Sequence, residues 1–187
     1  MTQLLDAHGA YLKQCHDVDD PVTSKSSKGN FLMRNGVVVL VGAFQSFVED
    51  LCEEAFTIRF PSADSELKIM AIGRIKDSNS GAGPQNINNL FKGVGLYTVM
   101  RDVRIRNRLA ITGAKKGKSY KRIPKSVDAS LREICRKRNK IAHGGQPNIT
   151  RTMLRHDIRF MTAIANKLDA VVATKIQKKE GLTQLPW

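Results

Sequence analysis

The sequence predicts an all-α fold, and three observations carry that prediction. Apolar residues recur at three- and four-residue spacings over most of the chain. No convincing strand–turn–strand pattern occurs, and the breaks between periodic stretches carry helix-capping chemistry. The composition, 41% hydrophobic and 26% charged over 187 residues, is globular and sufficient for a core without a disulfide or metal staple. The expectation is one domain over residues 1–187, with a basic loop at 101–125 and a short C-terminal tail at 180–187. Its architecture would be a bundle of about five to seven helices.

Taken in order, residues 2–17 set Leu4, Leu5, Ala7, Tyr11, Leu12 and Cys15 at helical spacing. Residues 17–30, rich in Asp, Ser, Thr and Lys, read as a loop. Residues 31–58 hold the most apolar segment. Its Val37–Val41 run has strand propensity, and periodicity alone does not exclude a buried strand. The continuation Phe44, Phe47, Val48, Leu51 and Cys52 is a helical stripe with no turn before it, so the two parts are read as one long helix. A helix over 63–77 follows Pro61, and Ser-Asn-Ser-Gly-Ala-Gly-Pro at 78–84 breaks the chain. Residues 85–100 are ambiguous because Gly93 and Gly95 interrupt them; the pair lacks the third glycine and helix start of a nucleotide loop. Pro124 and Ser126 announce a helix over 127–143, which Gly144 and Gly145 end. Ser130 and Glu133 within it can add capping-type bonds. Thr150 can cap a final helix whose buried stripe is Leu154, Ile158, Met161, Ile164, Leu168, Val171, Val172 and Ile176.

Charge narrows the function. The formal net charge is +14, with 31 Lys and Arg against 17 Asp and Glu. Residues 1–100 are slightly acidic, whereas 101–140 carry 15 basic and 3 acidic side chains. An excess so concentrated points to an anionic partner, nucleic acid above all. One cluster is Arg101, Arg104, Arg106 and Arg108; the other is Lys115, Lys116, Lys118, Lys121, Arg122 and Lys125, with Tyr120 in its middle. Gly113 and Gly117 make the second a loop able to close over a phosphate backbone and stack Tyr120 on a base. The bland alternative is a solvated basic loop. The longest run without a polar side chain, Gly36 to Phe44, is far short of the ~20 residues a membrane span needs. The N-terminus lacks the basic start and apolar stretch of a signal peptide, and Cys15, Cys52 and Cys135 read as reduced thiols, so a cytoplasmic protein without membrane partners is expected.

One segment carries chemistry. On the helix over 127–143 the apolar face is Val127, Leu131, Ile134 and Ile141, and the position completing that stripe is Arg138. A guanidinium there needs a partner: either a buried acid such as Glu49 or Asp50, or a ligand phosphate that its planar fork can grip. Asn139 and His143, four residues apart, share a face beside it. No His-x-x-x-His, carboxylate cluster or cysteine pair offers a metal site, and no cofactor is expected.

The heptapeptide Arg138-Asn139-Lys140-Ile141-Ala142-His143-Gly144 resembles the signature of HEPN domains, an all-helical superfamily whose Arg-Asn-three-residues-His motif marks metal-independent ribonucleases. The region Phe44 to Leu51 looks like the second helix of the RiboL-PSP and MAE-type groups, with an amide, Gln45, where those relatives often place an acid. The resemblance implies a bacterial endoribonuclease that uses the 2′-hydroxyl of RNA as nucleophile. His143 would exchange the proton, Arg138 would hold the phosphate, and Asn139 would orient His143 or the substrate. Lys140 would join the basic clusters in binding RNA. The resemblance further implies a homodimer with both motifs facing one cleft, a toxin–antitoxin or phage-defence setting, and an antitoxin or defence-system partner protein. The alternative is a non-catalytic HEPN-like scaffold that binds nucleic acid or a partner.

Overall fold

A computed structural model of the protein describes residues 27–78, 81–105 and 126–187. Among the described residues there are six α-helices and no strand. They are α1 (Ser27–Arg59), α2 (Ser65–Ser78), α3 (Pro84–Gly93), α4 (Val99–Asp102), α5 (Val127–Ala142) and α6 (Arg151–Glu180). The expected helix at 2–17 and most of the basic loop lie outside the described residues.

The 33-residue α1 settles the strand-or-helix question raised by Val37–Val41. Val37, Val41, Phe44, Val48, Leu51, Cys52, Ala55 and Phe56 are buried, a stripe at helical and not strand spacing. The helix starts at Ser27, so the last residues expected as loop, Ser27–Asn30, are already helical. By length and composition α1 would suffice to cross a membrane, with a mean hydropathy of 1.5 that its interrupted apolar run conceals. In the bundle it is instead the central element, packed by α2, α3, α5 and α6. Its main partner is α6, which supplies Phe160, Met161, Ile164, Leu168, Val172 and Ile176 to the core.

The ambiguous stretch 85–100 resolves into α3 and the short α4 joined by a turn. Pro84 opens α3 at a position where its missing N–H costs nothing, and Ile87, Leu90 and Phe91 fill the core. Gly93 allows close approach, because a Cβ there would come within 2.9 Å of Ile75 on α2. Gly95 turns the chain at φ +74. That turn is held from two sides: Arg59 donates to the carbonyl of Val94, and Lys179 Nζ donates to that of Gly95 at 2.7 Å. Arg59 also pairs with Glu180 at 2.7 Å, so the ends of α1 and α6 are fastened together there.

At the other end lies a second, smaller apolar cluster of Val37, Ile149, Leu154 and Ile158, with Met33, Leu40 and Ile141 packed on it. It seats the turn between α5 and α6 against the first half of α1, and Arg34 Nε donates to the carbonyl of Pro147 at 3.2 Å. Of the expected α6 stripe all members are buried except Val171, which is half-buried. The C-terminal tail folds back along α6, with Trp187 Nε1 donating to Asp169 Oδ1 at 2.9 Å.

Candidate functional site

Helix α5 is fixed at both ends by the residues its sequence supplies. Ser126 is the N-cap, its side chain accepting from the backbone N–H of Ala129 at 3.1 Å. At the far end Gly144 takes φ +78, a conformation that glycine reaches without a Cβ penalty. Its N–H bonds to Ile141 O and that of Gly145 to Lys140 O, the paired 5→2 and 6→1 bonds of a Schellman end. A Cβ on Gly145 would sit 2.7 Å from the Lys140 carbonyl, so the double glycine is a steric requirement of this termination. The result leaves His143 as the C-cap residue, exposed on the last turn.

Arg138 occupies the position expected of it, on the stripe between two apolar regions. Leu131 and Ile134 belong to the main core, and Ile141 packs on the second cluster. The guanidinium is half-buried; its Nη1 donates to Asn139 Oδ1 at 3.1 Å. Its Nε is buried with no hydrogen-bond partner among the described residues. The expected alternative, an ion pair with Glu49 or Asp50, is not formed: Glu49 accepts from Gln45 Nε2 at 2.9 Å, and Asp50 is exposed. Arg138 also sits beside Cys135. Burial pushes the Cys135 thiol up from its ordinary range, and the Arg138 charge pulls it part of the way back. Arg138, Asn139 and His143 thus lie together at one helix end, with the charge of Arg138 half out of water and Asn139 and His143 in it.

Two residues that sequence reasoning missed hold this helix end in place. Lys137 Nζ bonds Asp157 Oδ2 at 3.0 Å, tying α5 to α6 one residue before Arg138. Asp157 is the one charged side chain buried among the described residues. His156 Nδ1 lies 3.6 Å from its other oxygen. The signal was present: Asp157 falls on the stripe of Leu154, Ile158 and Met161, an acid on an apolar face just as Arg138 is a base on one.

The basic residues expected to bind RNA are not all assembled around the motif. Arg106, Arg108, Lys115, Lys116, Lys118, Tyr120, Lys121, Arg122 and Lys125 lie outside the described residues. Arg101 and Arg104 are exposed at the α4 end. There Lys175 donates to Asp102 at 2.7 Å and holds that carboxyl below the usual range. Leu154, which packs at the motif end, and Lys175 are 21 residues apart on α6, about 30 Å along the helix axis, so within one chain these two arginines stand far from His143. Lys140 is exposed on α5 beside Asn139. No group of three or more His, Cys, Asp or Glu able to hold a metal occurs among the described residues.

The helical bundle formed by the described residues is that of a HEPN-type domain. The model of the RiboL-PSP-HEPN family matches residues 9–174, and the chain belongs to that family. No curated relative and no solved structure matches it.

Proposed function

We propose that the protein is a metal-independent endoribonuclease of HEPN type. The observation that carries the reading is the half-buried Arg138 guanidinium, whose Nε has no partner among the described residues, near an exposed His143. A cation withheld from protein carboxylates at the edge of a core is suited to a phosphate, because the ligand supplies the missing acceptor when it binds. In this reading His143 takes the 2′-hydroxyl proton or returns one to the leaving oxygen, and Asn139, whose carbonyl oxygen accepts from Arg138, orients the guanidinium. RNA brings its own nucleophile, so base, acid and charge stabilisation are the protein's whole task.

One histidine serves poorly as base and acid at once, and a twofold dimer supplies two. Phe31, Leu32 and Val39 leave apolar surface exposed on the first half of α1, the same end of the bundle as the motif. That surface supports an interface between two chains there, with both motifs facing one cleft. The setting that suits such an enzyme is a toxin or phage-defence effector held in check by a partner protein.

The reading is tested by incubating purified protein with mixed RNAs in EDTA, alongside ultracentrifugation. Cleavage by a dimer, abolished in both His143→Ala and Arg138→Ala with the helical circular dichroism intact, is the expected result. RNA binding without cleavage would favour a non-catalytic scaffold.

A further inference from the structure

The outward face of α5 carries an ordered row of cations that leads to the motif. Arg132, Arg136 and Lys140 are spaced by four residues, and Asn139 and His143 continue the same face. All five are exposed. Each step of four residues advances about 6 Å along the helix, so the three cations cover about 12 Å and His143 stands about 4–5 Å beyond Lys140 along the axis. None of the three cations has an ion pair or hydrogen bond among the described residues. Solvated helix faces usually intersperse the two signs, because like charges four residues apart repel. On the row itself no acid separates Arg132, Arg136 and Lys140; Asp128, four residues before Arg132, stands at its head, and the half-buried Glu133 lies on its flank. The helix dipole gives Lys140 a reason to lie in the last turn; Arg132 sits in the first half of the helix, and Asp128, four residues before it, forms no ion pair with it.

We propose that this face is a phosphodiester track: successive phosphates of one RNA strand lie along Arg132, Arg136 and Lys140, delivering the strand to Arg138 and His143. A single row of evenly stepped cations matches the backbone of one strand, and the two guanidinium groups can each grip a phosphate through paired N–H donors. The inference rests on the ribonuclease reading for its choice of ligand.

The test separates the two. Binding is measured with a short 2′-O-methyl RNA oligonucleotide, which lacks the attacking hydroxyl, over a range of salt concentrations; cleavage of ordinary RNA by the wild type is measured separately. The double variant Arg132→Gln/Arg136→Gln should flatten the slope of log affinity against log salt by about 1.4, from about 0.7 for each lost contact on a single strand. Arg155→Gln/Arg159→Gln is the control. It removes the same charge from exposed positions on the opposite side of α6 from Asp157, and it should leave the slope within a few tenths of the wild type. Equal flattening by both variants would overturn the proposal in favour of a diffuse field. An unchanged slope for the α5 variant would overturn it too, even if the wild type cleaves RNA in EDTA. If the α5 variant instead loses binding to phosphatidylserine-containing vesicles while its RNA slope stays that of the wild type, the face reads a lipid surface and the track is wrong. Flattening by the α5 variant alone upholds the track, even if the wild type fails to cleave and the ribonuclease reading falls.

Discussion

Asp157→Ala should destabilise the protein far more than the loss of an ordinary surface charge. The Asp157 side chain is 6% exposed and takes the Lys137 ammonium at 3.0 Å, while the Lys137 side chain keeps 17% of its surface in water. An exposed ion pair contributes less than about 1 kcal/mol. Removing one partner of a fully buried pair costs about 3–5 kcal/mol, because the remaining charge is stranded. Lys137 lies between these limits: its flexible stem can carry the ammonium outward, which sets the expected loss at about 2–3 kcal/mol. For a chain of this size that corresponds to a fall in Tm of about 4–12 °C. Circular dichroism melts of Asp157→Ala, Lys137→Met and the double variant Lys137→Met/Asp157→Leu measure it. The double variant should recover most of the loss, since a well-packed apolar pair replaces a buried ionic one at little cost. A melting temperature for Asp157→Ala within about 1 °C of the wild type would refute the reasoning and show the pair to be solvated.

Three further outcomes follow from the geometry. Ser126→Ala and Thr150→Ala each remove a side-chain cap that accepts from the third residue of its helix, and each should cost about 1 kcal/mol in urea unfolding. Burial pushes the Cys52 thiol up to about 12. Folding therefore holds it neutral while the unfolded chain ionises, and its contribution is complete below pH 9 and lost as pH rises from there towards about 12; Cys52→Val should lose that part of the alkaline decline in the urea midpoint. Trp187 is the only tryptophan, so Asp169→Ala should alter the fluorescence emission of the native protein; an unchanged spectrum would mean that the tail does not dock in solution.

The architecture of α1, α2, α5 and α6 was legible because each of these helices announces itself locally. Ser126 and Thr150 cap where expected, Gly144 terminates where expected, and the stripes of α1 and α6 identify the faces they bury. Residues 85–100 were not legible, since Gly93 and Gly95 break the periodicity for reasons that lie elsewhere in the chain. One glycine makes room for Ile75, and the other forms a turn held by Arg59 and Lys179. The site was legible to the extent that it is a helix end. Arg138 stands out as a cation on an apolar stripe, whereas its neighbour Lys137 does not, because its partner Asp157 is twenty residues away on another helix. Reading charge by density along the chain drew attention to residues 101–125. Reading it by angle around α5 draws attention to Arg132 and Arg136, which the linear count absorbs without comment.

Analysis of the RNA ends made by the protein tests the central claim most directly. In EDTA, attack by the 2′-hydroxyl with proton transfer through His143 predicts fragments ending in a 2′,3′-cyclic phosphate and beginning with a 5′-hydroxyl. It also predicts a rate lowered by about 10²–10⁴ in His143→Ala. Fragments bearing 5′-phosphate and 3′-hydroxyl ends, cleavage only on addition of a divalent metal, or undiminished cleavage by His143→Ala would contradict it.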